Sequence, residues 1–146
     1  MRVYIPGNVA ELDLYVSGSW EPTRGYGVTP LLLGISPQLD PEELAEQARD
    51  AAALDSVTEL KSLRRLVVVV DYPRADTKPV PNDHPAALDI TGRVMLDAIA
   101  CVFVDEPEAV ADAKKAIKGD DAALERLEER ELLWYGTTEL DLIDAG

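Results

Sequence analysis

Short apolar runs along the chain predict the strands of one sheet. Val67–Val70 is apolar without alternation and Ala100–Glu106 begins with a similar run, which is typical of central strands covered on both faces. Ala87–Thr91 alternates between apolar and polar residues, which predicts a strand with one covered face. Shorter β-prone runs stand at Arg2–Ile5 and Leu132–Tyr135. The pattern therefore predicts a sheet of four to five strands.

Helical periodicity and capping residues predict helices between these strands. Asp40 precedes Pro-Glu-Glu, and together these residues make a favourable helix start. The Asp40 side chain can accept a hydrogen bond from a free backbone N–H group, proline suits the first helical position, and the two glutamates complement the positive end of the helix dipole. Ser56 begins a second capping pattern, so this helix either breaks there or continues to Leu63. Further helices are predicted at Val9–Val16, from Pro107 to Gly119, after Asp120, and after Thr137 or Thr138.

The order of these elements predicts one α+β domain over residues 1–146. Helices separate Arg2–Ile5 from Val67–Val70 and Ala100–Glu106 from Leu132–Tyr135, so two parallel, right-handed βαβ crossovers are expected. Ala87–Thr91 would then be inserted antiparallel between or beside them. The expected fold is a mixed, mainly antiparallel sheet with helices packed on it, similar to the split βαβ unit of ferredoxin-like folds.

Connecting segments are recognised by their turn residues. Ser17–Gly27 is rich in Gly and Ser, and Arg74–Pro85 contains several prolines, so both are expected to be loops. The segment between Pro30 and Pro37 is apolar but has no clear period, and its conformation is left open.

The charge of the chain is strongly acidic and unevenly distributed. The formal net charge is −14, and residues 40–63 and 105–146, which include predicted helices, carry 20 of the 28 acidic residues. Outer helix faces that keep the protein soluble explain this pattern, and docking of a basic protein is the other interpretation. Because Lys and Arg are not clustered, nucleic acid is not expected as a partner.

The remaining composition bears on the compartment. No apolar run approaches the ~18 residues needed to cross a bilayer, and the first residues lack the pattern of a signal peptide. Cys101 is the only cysteine, so no internal disulfide forms and a reducing cytoplasm is the expected location. A membrane is not expected as a partner.

Three carboxylates form the one enzyme-like pattern. Asp71 follows the Val67–Val70 run, while Asp105 and Glu106 follow Cys101–Val104. Ligands bind beyond the carboxyl ends of strands in open α/β sheets, and carboxylate oxygens suit Mg²⁺. If the strands are neighbours, the three residues would form a site for metal-dependent or general-acid chemistry. Alternatively, they are ordinary polar residues at strand exits, with Glu106 belonging to a helix start.

Other candidate chemistry is weak. His84 is the only histidine and lies in a Pro-flanked loop, which argues against a multi-histidine metal site. The Gly-Tyr-Gly sequence at Gly25–Gly27 lacks the strand and third glycine of a dinucleotide loop. No bound cofactor or metal is therefore expected.

The segment Glu131–Leu140 is either a ligand pocket or a strand that turns into a capped helix. Trp134 and Tyr135 point to opposite faces if the segment is extended, so they do not both line one pocket. Glu139 and Asp141 would repel an anion at the helix start. The structural interpretation is favoured, and it predicts that Trp134 is largely buried in the core.

Several segments together resemble a family of small acidic actinobacterial proteins, a domain of unknown function. They are Met1–Pro6, Val28–Pro30, Pro41–Leu44, Arg64–Pro73, Val102–Glu106 and Glu131–Leu140. In that family an acidic residue usually follows the Trp-Tyr pair, where this chain has Gly136. The resemblance implies a cytoplasmic protein and no particular activity.

Two functions are consistent with these observations. The first is a non-catalytic cytoplasmic protein-interaction module that binds another protein or forms a homodimer. The alternative is a small metal-dependent hydrolase or transferase that uses Asp71, Asp105 and Glu106.

Overall fold

A seven-stranded sheet forms the centre of the fold in the computed structural model, which describes residues 1–143. Its strand order is β4-β5-β2-β1-β3-β6-β7, and every neighbouring pair is antiparallel. The strands are β1 (Arg2–Asn8), β2 (Arg24–Tyr26), β3 (Arg65–Asp71), β4 (Thr77–Pro79), β5 (Ala87–Ile90), β6 (Ile99–Val104) and β7 (Leu133–Tyr135).

Five α-helices accompany the sheet within the described residues. They are α1 (Leu12–Ser17), α2 (Pro30–Ile35), α3 (Pro41–Thr58), α4 (Val110–Ile117) and α5 (Asp121–Glu128). Short 3-10 helices stand at Val9–Glu11, Arg74–Asp76, Leu96–Ala98, Pro107–Ala109 and Thr137–Leu142. Every helix of residues 1–143 is too short or too polar to span a bilayer.

Helix α3 begins where the sequence predicts. Asp40 Oδ1 accepts a hydrogen bond of 2.8 Å from the Glu43 N–H, and Glu43 Oε1 accepts one of 3.4 Å from the Asp40 N–H, so the capping box is complete. The helix does not break at Ser56. That residue is buried in the last turn, where its hydroxyl donates to the Gly7 carbonyl at 2.6 Å and accepts from the Leu66 N–H at 2.9 Å.

The prediction of four to five strands is wrong because two short strands lie in segments predicted to be loops. Strand β2 contains Gly25, where a Cβ atom would lie 2.6 Å from Val3 Cγ1, so this glycine permits close packing beside β1. Strand β4 contains Pro79 and lies at an edge of the sheet, where a missing N–H is tolerated. Both strands have three residues.

The two expected parallel crossovers are also wrong. Strand β1 is antiparallel to β3, because β2 reverses the chain before α3 carries it across. Strands β2 and β3 therefore run parallel to each other, with β1 between them. Helix α3 lies between β2 and β3 in the chain, so these elements form a βαβ unit whose two strands are separated by β1. Strand β6 is antiparallel to β7, because α4 and α5 form a hairpin that returns the chain to the end of the sheet that it left.

Apolar residues pack on both faces of the sheet. All residues of β3 from Arg65 to Val70 are buried, which confirms a central strand covered on both sides. Helix α3 covers one face, where Ala48 and Ala52 pack with Val67 and Val69. Another apolar cluster packs α4 and α5 against the end of α3, and it consists of Val57, Ala109, Ala113 and Leu127.

Candidate functional site

The three carboxylates at the strand ends do not come together. Asp71 ends β3 beside Arg2, whose Nε lies 3.3 Å from Asp71 Oδ1. Asp105 and Glu106 follow β6 at the opposite end of the sheet, where the Asp105 N–H donates to the Arg65 carbonyl. Strands β3 and β6 are neighbours, but because they are antiparallel their carboxyl ends point in opposite directions.

Asp105 is fully buried and forms an ion pair with Arg65. The Arg65 guanidinium donates to Asp105 Oδ2 from Nε and to Oδ1 from a terminal nitrogen, each at 2.8 Å. The Arg65 backbone N–H donates to Oδ2 at 3.0 Å, and Arg64 Nε donates to the Asp105 carbonyl at 2.8 Å. Both carboxylate oxygens are thus occupied, which indicates a structural role.

Glu106 belongs to a group of ion pairs that joins α4 to the end of α5. It pairs with Arg130, and a terminal nitrogen of Arg130 also lies 3.8 Å from Asp112 Oδ2. Arg126 Nε lies 2.9 Å from the other oxygen of Asp112. In residues 1–143, no group of three or more His, Cys, Asp or Glu side chains is arranged to hold a metal ion.

An open cleft with a volume of about 960 Å³ lies between α3, α5 and the segment that precedes β7. Seven carboxylates and four arginines contribute to its lining. We call it the acidic cleft. Its lining includes Glu46 and Arg49 of α3, Glu128 at the end of α5, and Glu129, Glu131 and Leu132 between α5 and β7.

A cluster around Arg24 lies in the part of the cleft beside β2. Arg24 donates to the two oxygens of Asp83 at 2.9 and 2.8 Å, and to the Tyr26 hydroxyl at 2.8 Å. Its Nε lies 3.3 Å from Asp55 Oδ2, which also accepts from the Tyr26 hydroxyl. The cluster joins β2 to α3 and to the loop that carries His84, whose ring meets that of Tyr26 edge-on.

The electrostatics of this cluster fix the charge of its members. Hydrogen bonding to Arg24 lowers the pKa of Asp83 to about 2. Burial raises the pKa of Tyr26, and the hydrogen bond to Asp55 raises it further, so Tyr26 stays protonated at neutral pH. The charge of Arg24 is therefore neutralised by carboxylates of this chain. The cluster is thus a set of structural ion pairs that holds β2, α3 and the His84 loop together, and not an open anion site.

The ion pair between Arg24 and Asp83 is expected to weaken in acid. The pKa of Asp83 is about 2 in the folded chain against 3.8 for the free side chain, so its stabilisation is present above pH ~4 and is lost as the pH falls towards ~2. We expect Asp83→Asn to destabilise the protein at pH ~5 and to have less effect at pH ~2.5. Urea unfolding at both pH values measures the difference. Asp97→Asn, an exposed carboxylate outside the cluster, is the control, and an equal effect at the two pH values would contradict the role of Asp83.

Sequence reasoning missed this cluster. Arg24 and Tyr26 stand two residues apart, the spacing that places side chains on one face of a strand, but the surrounding glycines and serines indicated a loop. Arg24 is separated from Asp55 by 31 residues and from Asp83 by 59 residues in the sequence, so no local pattern predicts these contacts.

Arg49 lies in the part of the cleft nearest β7. Its guanidinium carbon is 5.2 Å from the centre of the Phe103 ring. A terminal nitrogen of the guanidinium lies 3.5 Å from Asp50 Oδ1. Its Nε is buried without a hydrogen-bond partner among the described residues. Phe103 on β6 is paired with Trp134 on β7, so the two side chains are neighbours on one face of the sheet. We call these two residues the aromatic row, and Arg49 lies over its Phe103 end.

Trp134 is exposed, so the prediction that it is largely buried in the core is wrong. Its exposed fraction is 59 %. Helix α3 packs on β1, β2 and β3, whereas β7 lies two places beyond β3 at the edge of the sheet. Tyr135 points to the other face and packs against the core there, as expected for adjacent residues of a strand.

The segment after β7 turns into a 3-10 helix, and its cap differs from the one predicted. The first residue of the turn is Gly136, whose N–H donates to Glu139 Oε1 at 3.1 Å. Neither Thr137 nor Thr138 supplies the cap. Glu139 therefore accepts the free N–H group at this turn.

The exposure of Trp134 leads to a stability prediction. Trp134→Ala is expected to change the free energy of unfolding by about 1 kcal/mol or less, because the indole is already largely in water. Trp20→Ala, which removes a buried indole with its ring centre 4.2 Å from that of Tyr15, is expected to cost much more. Urea unfolding of the two variants provides the comparison. Equal losses would mean that Trp134 is covered in solution.

Comparison with known proteins places the chain in a family. The sequence model of DUF6912, described as a family of unknown function, matches residues 1–143. The match confirms the resemblance to a domain of unknown function. No curated protein and no solved structure matches the chain.

Proposed function

We propose, for a chain that belongs to the family of unknown function DUF6912, a role as a non-catalytic module that binds another protein along β7. The observation that carries this proposal is the exposure of Trp134 on an edge strand. An edge strand presents backbone N–H and C=O groups that another extended segment can pair with. Tryptophan is enriched at the energetically important centres of protein interfaces.

The two edges of the sheet differ in a way that supports this role. Strand β4 carries Lys78 and Pro79, both exposed, and these residue types discourage the addition of a further strand. Strand β7 has neither, and instead exposes 40 % of Leu133 and 59 % of Trp134. The β7 edge is therefore the one suited to a partner.

The contacts of the strand-end carboxylates support a non-catalytic role. Asp105 and Glu106 are engaged by Arg65 and Arg130, and Asp71 pairs with Arg2 at the other end of the sheet. The alternative, a hydrolase or transferase that uses these residues with Mg²⁺ or Mn²⁺, predicts a melting temperature that rises with metal concentration. A melting scan with and without each metal tests this alternative.

The expected surroundings of the module follow from the same features. Cys101 is a free, buried thiol and suits a reducing compartment, which supports a cytoplasmic location. The net charge of −14 supports a partner other than nucleic acid.

Affinity purification with matched variants tests the proposal. The wild-type chain and Leu31→Ser, which alters an exposed apolar residue of α2, should recover the same protein in proportion to the bait. Trp134→Ser should not recover it. Recovery of the same proteins by all three chains, or of none by the wild type, would contradict a binding role for β7.

A further inference from the structure

We propose that the segment bound at β7 is extended and basic, with a lysine or arginine over the face of Trp134. This inference rests on the proposed function and adds the chemistry of the partner. It follows from the charges beside β7 and from the way the neighbouring aromatic ring is already used.

The acidic cleft next to β7 has more negative charge than its own arginines neutralise. Arg24, Arg65 and Arg130 are already engaged in ion pairs. Four lining carboxylates form no ion pair within residues 1–143: Glu46, Glu128, Glu129 and Glu131. Leu132 lines the cleft and leads directly into β7, so a segment paired with β7 lies within reach of this charge.

The aromatic row on β6 and β7 has room for one more cation. Phe103 has the Arg49 guanidinium 5.2 Å from its ring centre, which shows that this face of the sheet accepts a stacked arginine. Trp134 is the next ring in the row, and no cation of residues 1–143 lies over it. Tryptophan is the most favourable aromatic partner for a cation, so a basic side chain from the added segment suits this position.

A second copy of the chain fits this edge poorly. Residues 105–146, which include β7 and α5, carry 13 acidic and 5 basic residues. Pairing β7 with itself would bring two such regions together, and like charges at an interface are unfavourable. Strand β7 also has only three residues, so backbone pairing alone is short and the charges have to contribute to affinity.

Titration with designed peptides tests the inference. The probe is a peptide of about ten residues in which lysine and valine alternate, compared with peptides in which serine or glutamate replaces lysine. Calorimetry with the full chain should detect binding of the lysine peptide only. Its dissociation constant should rise ~10-fold or more between about 50 and about 500 mM salt.

Two charge-matched variants separate binding at β7 from attraction to the whole acidic protein. Trp134→Lys adds one positive charge at the proposed site, and Leu31→Lys adds the same charge on α2. We expect Trp134→Lys to weaken binding ~10-fold or more and Leu31→Lys ~2-fold or less. Both residues are exposed, so both variants should fold, which circular dichroism checks.

Each contrary result has a distinct meaning. Equal weakening by the two lysine variants would show general electrostatic attraction and overturn the inference. If the serine peptide bound as tightly as the lysine peptide and Trp134→Lys weakened both, the partner would be extended but not basic, and the proposed function would stand. If no peptide bound and light scattering showed a dimer lost in Trp134→Lys, the occupant would be a second copy. A monomer that bound none of the peptides would also overturn the inference.

Discussion

Asp105→Ala is expected to lower the free energy of unfolding by about 3–5 kcal/mol, because it leaves the Arg65 guanidinium buried without its counter-charge. The side chain of Arg65 is only 6 % exposed, so water cannot replace the lost carboxylate without rearrangement. The substitution also removes the acceptor of the Arg65 backbone N–H. Urea unfolding of wild type and variant gives the difference directly.

A control and a double variant make this prediction specific. Asp71→Ala removes an aspartate that is 62 % exposed and paired with Arg2 at the other end of β3, and is expected to cost about 0–1 kcal/mol. Asp105→Leu combined with Arg65→Met leaves neither charge unpaired, and should cost less than Asp105→Ala alone. Similar losses for Asp105→Ala and Asp71→Ala would show that the buried pair does not persist in solution.

Local signals correctly predicted the elements that depend on local chemistry. The start of α3 was predictable because Asp40, Pro41 and Glu43 satisfy a helix end without help from the rest of the chain. Strands β3 and β6 were predictable because continuous apolar runs are stable only where both faces are covered.

Features that depend on neighbours in space were missed. Strand β2 contains Gly25 and β4 contains Pro79, so these strands exist because β1 and β5 supply their pairing and not because of their own propensity. The missed reversal at β2 made the first crossover wrong, and the return of the chain through the α4–α5 hairpin made the second one wrong. The exposure of Trp134 was unpredictable for a related reason, since an apolar strand does not reveal whether it lies at an edge.

The candidate site shows the limit of a rule taken from parallel sheets. Placing Asp71 beside Asp105 assumed that the two strands point the same way. The order of strands and helices in the sequence did not reveal that they are antiparallel. The Arg24 cluster and the acidic cleft arise from contacts between distant segments, and only the structure brings those residues together.

Leu66→Ala is expected to cost about 2–5 kcal/mol, since Leu66 is fully buried in β3 and its removal leaves a cavity beneath the sheet. Leu66 also limits what can stand at Gly7 on the paired strand β1. A Cβ atom at Gly7 would lie 2.6 Å from Leu66 Cδ2 and 3.1 Å from the Tyr15 hydroxyl. Gly7→Ala is therefore expected to cost about 1–3 kcal/mol through overpacking.

The two substitutions are expected to compensate each other. Leu66→Ala removes the Cδ2 atom that a Gly7→Ala methyl group would meet, so Gly7→Ala should cost less in the Leu66→Ala background than in the wild type. A double-mutant cycle by urea unfolding should give a favourable coupling of about 0.5–3 kcal/mol. Gly34→Ala, where a Cβ atom meets nothing within 4 Å, is the control and should add independently to Leu66→Ala. Strict additivity at Gly7 would show that β1 and β3 separate enough to admit a methyl group, and that the tight contact between them does not limit residue 7.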